Sequence, residues 1–252
     1  MSGGSNGSGN GHAPPKPETA GPKRFYKEVA TRREEGGYAV TLDGRPVRTP
    51  KKLRLDLPNE ALAEAVAGEW REQGDTVKPA SMPLTRLANT AIDLIAADPT
   101  PAVDEIIAYA GNDLLCYRAE GPVSLVARQA AAWDPLLAWA RELLGSPFEI
   151  TEGIVHRPQL AATIAAVRAR VERMNPFVLA GLQTATTLTG SAVLALAVLM
   201  EAADAANAWT TAHVDEAWQA DQWGTDAEAA QRLSARKAEF LAAALFMRLS
   251  AH

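Results

Sequence analysis

His213-x-x-Glu216 is the one spacing in this sequence that a metal ion could use. On a helix the imidazole and the carboxylate share a face, as ligands of a metal-dependent hydrolase would. Two ligands do not make a site, and the plain reading is a solvated helix face beside core residues Val214 and Trp218. Of the other histidines, His12 lies in a Gly/Ser-rich tail, His252 ends the chain and His156 stands alone. Cys116, the single cysteine, sits in Leu114-Leu115-Cys116-Tyr117, where a buried structural thiol is expected rather than a nucleophile. One cysteine also excludes an intramolecular disulfide and a cysteine-clustered zinc site, and it fits a reducing compartment. No Gly-x-Ser-x-Gly, Walker loop or His-Glu-x-x-His occurs. The residues therefore assign no catalytic group, no metal and no cofactor, and the expectation is a protein that is not an enzyme.

Charge points to a binding role. Residues 23–54 hold ten Lys/Arg against four acids, a balance of +6, whereas residues 55–252 hold 14 Lys/Arg against 25 acids, a balance of −11. A basic front on an acidic body steers encounters with a partner. The basic strands 23–54 invite a nucleic-acid-binding reading. Against it, Phe25, Tyr26 and Tyr38 sit where a sheet's core face needs them, no RNA-binding signature appears, and the acidic body repels phosphate. Trp223 stands apart from the other tryptophans because it ends a helix just before Gly224, where an aromatic closes a core or anchors an interface.

The elements that must position these residues follow from periodicity. Residues 1–22 are Gly/Ser/Asn/Pro-rich and read as a disordered tail with no signal or transit-peptide pattern. Residues 24–57 alternate as three or four short antiparallel strands, turning at Gly36-Gly37 and at Asp43-Gly44, a type I′ hairpin signal. A helix from Asn59 carries Leu62, Val66 and Trp70 at i, i+4, i+8, so Trp70 is expected to be buried against the sheet. A second helix near Leu84–Ile95 completes an α+β unit, 23–98, and residues 99–252 read as an all-α domain. Within it, Val123–Ala132 and a segment opened by Asp134-Pro135 read as separate helices, 147–158 as a hairpin, and Thr211–Gln222 as one helix.

The second domain centres on Asn175–Met200, which has no charged side chain and apolar residues on nearly every face. Gln183, Thr184, Thr186, Thr187, Thr189, Gly190 and Ser191 would lie at a bilayer midplane, so this is a buried core helix bent near Gly190, without membrane insertion. Its hydroxyls can bond carbonyls one turn back.

Several long strings carry a resemblance. Arg24-Phe25-Tyr26-Lys27-x-Val29 and Gly37-Tyr38-x-Val40-x-Leu42-Asp43-Gly44-Arg45-Pro46-Val47-Arg48-Thr49-Pro50 resemble the assembly-chaperone family that handles the alpha subunit of F1-ATPase. The likeness continues in Leu62-Ala63-x-x-Val66-Ala67-x-Glu69-Trp70-x-x-Gln73 and Met82-Pro83-Leu84-Thr85-x-Leu87-x-Asn89-Thr90-x-Ile92-Asp93. It persists in Asp113-x-Leu115-Cys116-Tyr117-Arg118, Trp133-Asp134-Pro135-Leu136 and Gln219-x-x-x-Trp223-Gly224. The resemblance implies a chaperone that binds the unassembled alpha subunit and covers its beta-facing surface until beta displaces it. It implies a small N-terminal α+β domain followed by a helical one, no cofactor, and no nucleic acid. It carries the family's functional acidic position onto Glu216, with Asp215 as the fallback, beside Gln219 and Trp223. A monomer in the bacterial cytoplasm is expected; the mitochondrial matrix would be the compartment in a eukaryote.

Overall fold

The computed structural model describes residues 21–153, 155–224 and 226–251, so the tail expected over 1–22 lies almost wholly outside them. A small antiparallel sheet comes first and a mostly helical region follows. β1 (Val29–Glu34) pairs with β2 (Gly37–Leu42) in a register that sets Val29 opposite Leu42 and Glu34 opposite Gly37. On its other edge β2 pairs with β3 (Arg45–Pro46) and β4 (Asp56–Leu57). Asp43 and Gly44 both have positive φ, 48° and 76°, as a type I′ turn between β2 and β3 demands.

One face of this sheet is apolar, and α1 (Glu60–Arg71) covers it with buried Leu62, Ala63, Val66 and Ala67. Asn59 caps α1, its side-chain oxygen accepting from Leu62 N at 2.9 Å. Trp70 is a correction: it is only half-buried, because it lies in the last turn of α1 and lines an open groove, its ring meeting Tyr26 edge-on with centroids 5.7 Å apart. α2 (Pro83–Thr90), prolonged by a wider turn over Ala91–Ile95, follows. Its N-terminal N–H groups are satisfied by buried Glu69, which accepts from Leu84 N at 2.7 Å and Thr85 N at 2.8 Å.

The helical region comprises α3 (Thr100–Gly111), α4 (Val123–Leu144), α5 (Ala161–Val171), α6 (Pro176–Thr189), α7 (Ala192–Leu199), α8 (Ala205–Ala212), α9 (Val214–Trp223) and α10 (Ala227–Ser250). Two two-residue strands, β5 (Tyr117–Arg118) and β6 (Thr151–Glu152), pair in parallel. The hairpin expected over 147–158 is thus replaced by a pairing with residues before α4. The two helices expected around Asp134-Pro135 are one. Leu125, Gln129, Trp133, Leu137 and Ala140 form a continuous buried stripe, and that packing outweighs the bond lost at Pro135.

The uncharged segment lies at the centre, broken in two. Gly190 takes φ 71°, ending α6, and the Ser191 hydroxyl restarts the chain by accepting from Leu194 N at 3.0 Å. Thr187 and Thr189 do bond carbonyls one turn back, whereas the buried Thr186 hydroxyl has no partner among the described residues. α6 packs most extensively on α10, and also on α2, α3 and α7. Gly181 makes the α10 contact possible: a Cβ there would stand 2.5 Å from Met247 Cγ and 3.1 Å from the Ala243 carbonyl oxygen. Among the described residues no helix is long and apolar enough to cross a membrane.

Asp113 joins α7 to the turn that follows α3. It is fully buried and accepts from Leu115 N at 3.1 Å and Val193 N at 3.0 Å. Loss of hydration pushes its carboxyl up to about 6, against the opposing pull of Ser191 and the surrounding N–H donors.

Two outcomes follow from this packing. Gly181→Val should cost about 1–3 kcal/mol in urea unfolding, because the Ala243 carbonyl is backbone and cannot step aside; a cost below about 0.5 kcal/mol would show that α6 and α10 separate freely. The folded chain keeps the Asp113 proton between pH 3.8 and about 6, where the unfolded chain has lost it. The stabilisation from this group is therefore complete below pH 3.8 and is lost as pH rises to about 6. Wild type should lose stability relative to Asp113→Asn by on the order of 2–3 kcal/mol between pH 4 and 7, and the opposite slope would show that the N–H donors prevail over burial.

Candidate functional site

Residues Asp215, Glu216, Gln219 and Trp223 all fall on α9, which lies across α4. The helix is short and has one buried residue, Val214. Its attachment to α4 is chiefly polar and aromatic. Asp215 accepts from Gln129 Nε2 at 2.7 Å, while Gln129 Oε1 in turn accepts from Ala119 N at 2.9 Å. Asp221 pairs with Arg128 at 2.8 Å, and Trp218 Nε1 donates to Ser124 Oγ at 3.3 Å.

Asp215 and Glu216 thus do different jobs. Asp215 is half-buried and serves as a strut between α9 and α4. Glu216 is exposed and forms no side-chain hydrogen bond or ion pair with another described residue. Glu216, Gln219 and Trp223, at i, i+3, i+7, line the outer face of the helix. Trp223 is 75% exposed and meets Trp218 edge-on, ring centroids 5.6 Å apart at 84°. Val123 at the start of α4 is 85% exposed. The surface therefore combines a free carboxylate, an amide and an exposed aromatic ring, the elements of a polar-rimmed anchor for another protein.

The single helix expected over Thr211–Gln222 is instead two, parted at His213. That residue is 8% exposed, its ring lying 4.0 Å from Trp209, with Nδ1 2.8 Å from the Trp209 carbonyl oxygen. Stacking and that hydrogen bond hold the imidazole in the core, while Glu216 faces solvent. The spacing that suggested a metal-dependent hydrolase is thereby undone: the two residues do not share one continuous helix. Among the described residues no group of three or more His, Cys, Asp and Glu is placed to hold a metal ion. Cys116 is buried, as expected, and loss of hydration together with neighbouring Asp113 pushes its thiol far above its ordinary range, which disfavours the thiolate. Sequence reasoning did not find Gln129 and Arg128, the residues that hold α9 in place. They lie some ninety positions away in the chain, and nothing local marks a residue of one helix as the strut of another.

Against known proteins, the model of the ATP12 chaperone protein family matches residues 23–141. The crystal structure of Atp12 from Paracoccus denitrificans is 42% identical and superposes with a TM-score of 0.86, covering 91% of this chain and 98% of that one. The chain belongs to the ATP12 chaperone family. A point mutant of the Paracoccus protein superposes equally well, at 41% identity. The mitochondrial protein atp12 of Schizosaccharomyces pombe is 24% identical over 215 residues, 81% of this chain and 74% of that protein. The small sheet followed by helices is the architecture that this chain shares with the Paracoccus protein.

His213 and Trp223 should separate core from surface within this ATP12-family chain. Trp223→Ala should leave the urea midpoint within about 0.5 kcal/mol of wild type, whereas His213→Ala should lose more than about 1 kcal/mol, since it opens a cavity beside Trp209. A chelator should change neither. Equal costs for the two variants would contradict the assignment of Trp223 to the surface.

Proposed function

We propose that the chain binds the unassembled alpha subunit of F-type ATP synthase, protects its beta-facing surface during F1 assembly, and acts without catalysis. Membership of a family whose members are named chaperones carries this reading. The outer face of α9 supports it: an exposed tryptophan beside an unpaired carboxylate suits a client surface of the large, apolar kind that obligate subunit interfaces present. Glu216, Gln219 and Trp223 contact the client in this reading, and Asp215 holds their helix in place. The chain works as a monomer in a bacterial cytoplasm, and it needs neither cofactor nor nucleic acid.

Heated alpha subunit should scatter less light in the presence of this protein and without ATP; equal scattering with and without it removes the reading. Glu216→Lys should leave stability within about 0.5 kcal/mol. It should weaken calorimetric binding of alpha subunit, because a reversed charge at an interface turns attraction into repulsion. Unchanged affinity in that variant would take Glu216 off the contact surface.

A further inference from the structure

A groove of about 620 Å³ opens at the edge of the sheet, on the basic part of the chain. Its aromatic wall is a ladder of three rings. Phe25, 71% exposed, meets Tyr26 edge-on at 5.4 Å, and Tyr26 meets Trp70 edge-on at 5.7 Å. Tyr26 is held from behind by its hydroxyl, which donates to the Trp70 carbonyl at 2.7 Å, and by the Arg24 guanidinium 4.6 Å from its ring centroid. The middle ring of the ladder is therefore held in place.

Arg45 and Arg48 stand on the groove's margin, both exposed. Neither has a carboxylate within ion-pair distance among the described residues, although nine other arginines do. Asp43, the one acid on the groove among the described residues, stays ionised and is turned toward the chain before β1: the Glu28 and Lys27 backbone N–H groups, at 2.8 and 3.0 Å, hold its carboxyl below the usual range. The result is a slot with an aromatic wall on which two arginines outnumber one carboxylate, on a segment of net charge +6 attached to a body of −11.

We infer that this groove binds a short acidic peptide segment of the client, one that seats an apolar side chain against the Phe25–Tyr26–Trp70 ladder and sets its carboxylates on Arg45 and Arg48. It rests on the client reading above for the source of the segment. Carboxylates are favoured over a phosphate backbone because a slot of this size accepts one or two side chains. A polyanion running past it would also meet the acidic body.

The test uses a fluorescent, end-blocked hexapeptide with a Leu-Phe pair flanked by Asp and Glu, read by anisotropy on the full chain. It should bind more weakly as salt rises. A counterpart with lysines in place of the acids, and a hexathymidylate, should not bind. Arg45→Glu/Arg48→Glu should weaken the peptide at least about tenfold, whereas Arg45→Lys/Arg48→Lys should stay within about threefold. Phe25→Ala, at an exposed position, should weaken it about threefold while leaving the fold intact by circular dichroism. Unchanged binding in the charge-reversed and Phe25→Ala variants overturns the groove, and tighter binding of hexathymidylate overturns the peptide in favour of nucleic acid. Unlabelled alpha subunit should displace the peptide. If the chain does not suppress the scattering of heated alpha subunit, the client reading fails, and the peptide and variant results still decide the groove. If the chain suppresses scattering but alpha subunit displaces no peptide, the assignment of the segment to that client is overturned and the client reading stands.

Discussion

The close approach of α6 and α10 at Gly181 is the contact on which the rest of the molecule depends. An uncharged segment that is apolar on nearly every side must be enclosed on every side, and α10 provides the largest share of that cover. With any side chain at position 181 the helices would stand further apart, and the layer of Phe240, Ala243, Phe246 and Met247 would lose its fit against α6. The far end of α10 is secured by two asparagines that each serve twice. Asn59 caps α1 and donates to the Leu249 carbonyl at 2.7 Å; Asn175 caps α6 and donates to the Ser250 carbonyl at 3.1 Å. The start of the sheet-covering helix, the start of the central helix and the end of the chain's last long helix therefore meet at one place.

The polar residues that look most like chemistry are largely absorbed by such joints. Glu69 caps α2, Asp113 ties α7 to the turn after α3, and Asp93 accepts from Thr49 Oγ1 at 2.5 Å and Lys51 N at 3.0 Å. Arg118 is 8% exposed, donates to Asp134 at 2.8 Å and lies 5.1 Å from the centre of the Trp133 ring. A buried charge is tolerated only when its partners are in place, so each of these residues specifies one arrangement of the elements around it. Two surfaces stand outside these joints: the outer face of α9, and a groove beside the sheet lined by aromatic rings and by two arginines with no ion-pair partner among the described residues.

The sequence by itself determined whatever depends on neighbours in the chain. The Asp43-Gly44 turn, the helix start at Asn59, the Leu62/Val66 stripe and the uncharged centre with its weak point at Gly190 were all legible, because hairpin geometry and periodicity act within a few residues. Only the tertiary structure decided matters that depend on what lies opposite. Pro135 sits inside a continuous helix because a buried stripe from Leu125 to Ala140 repays the missing bond. His213 leaves its expected face because Trp209 offers stacking and a carbonyl that no spacing rule reveals. Asp215 and Glu216 are adjacent and alike in type, yet one became a strut and the other a free carboxylate. Gln129, remote in sequence, lies across from only one of them, and a long-range partner is a property of packing that no local pattern encodes.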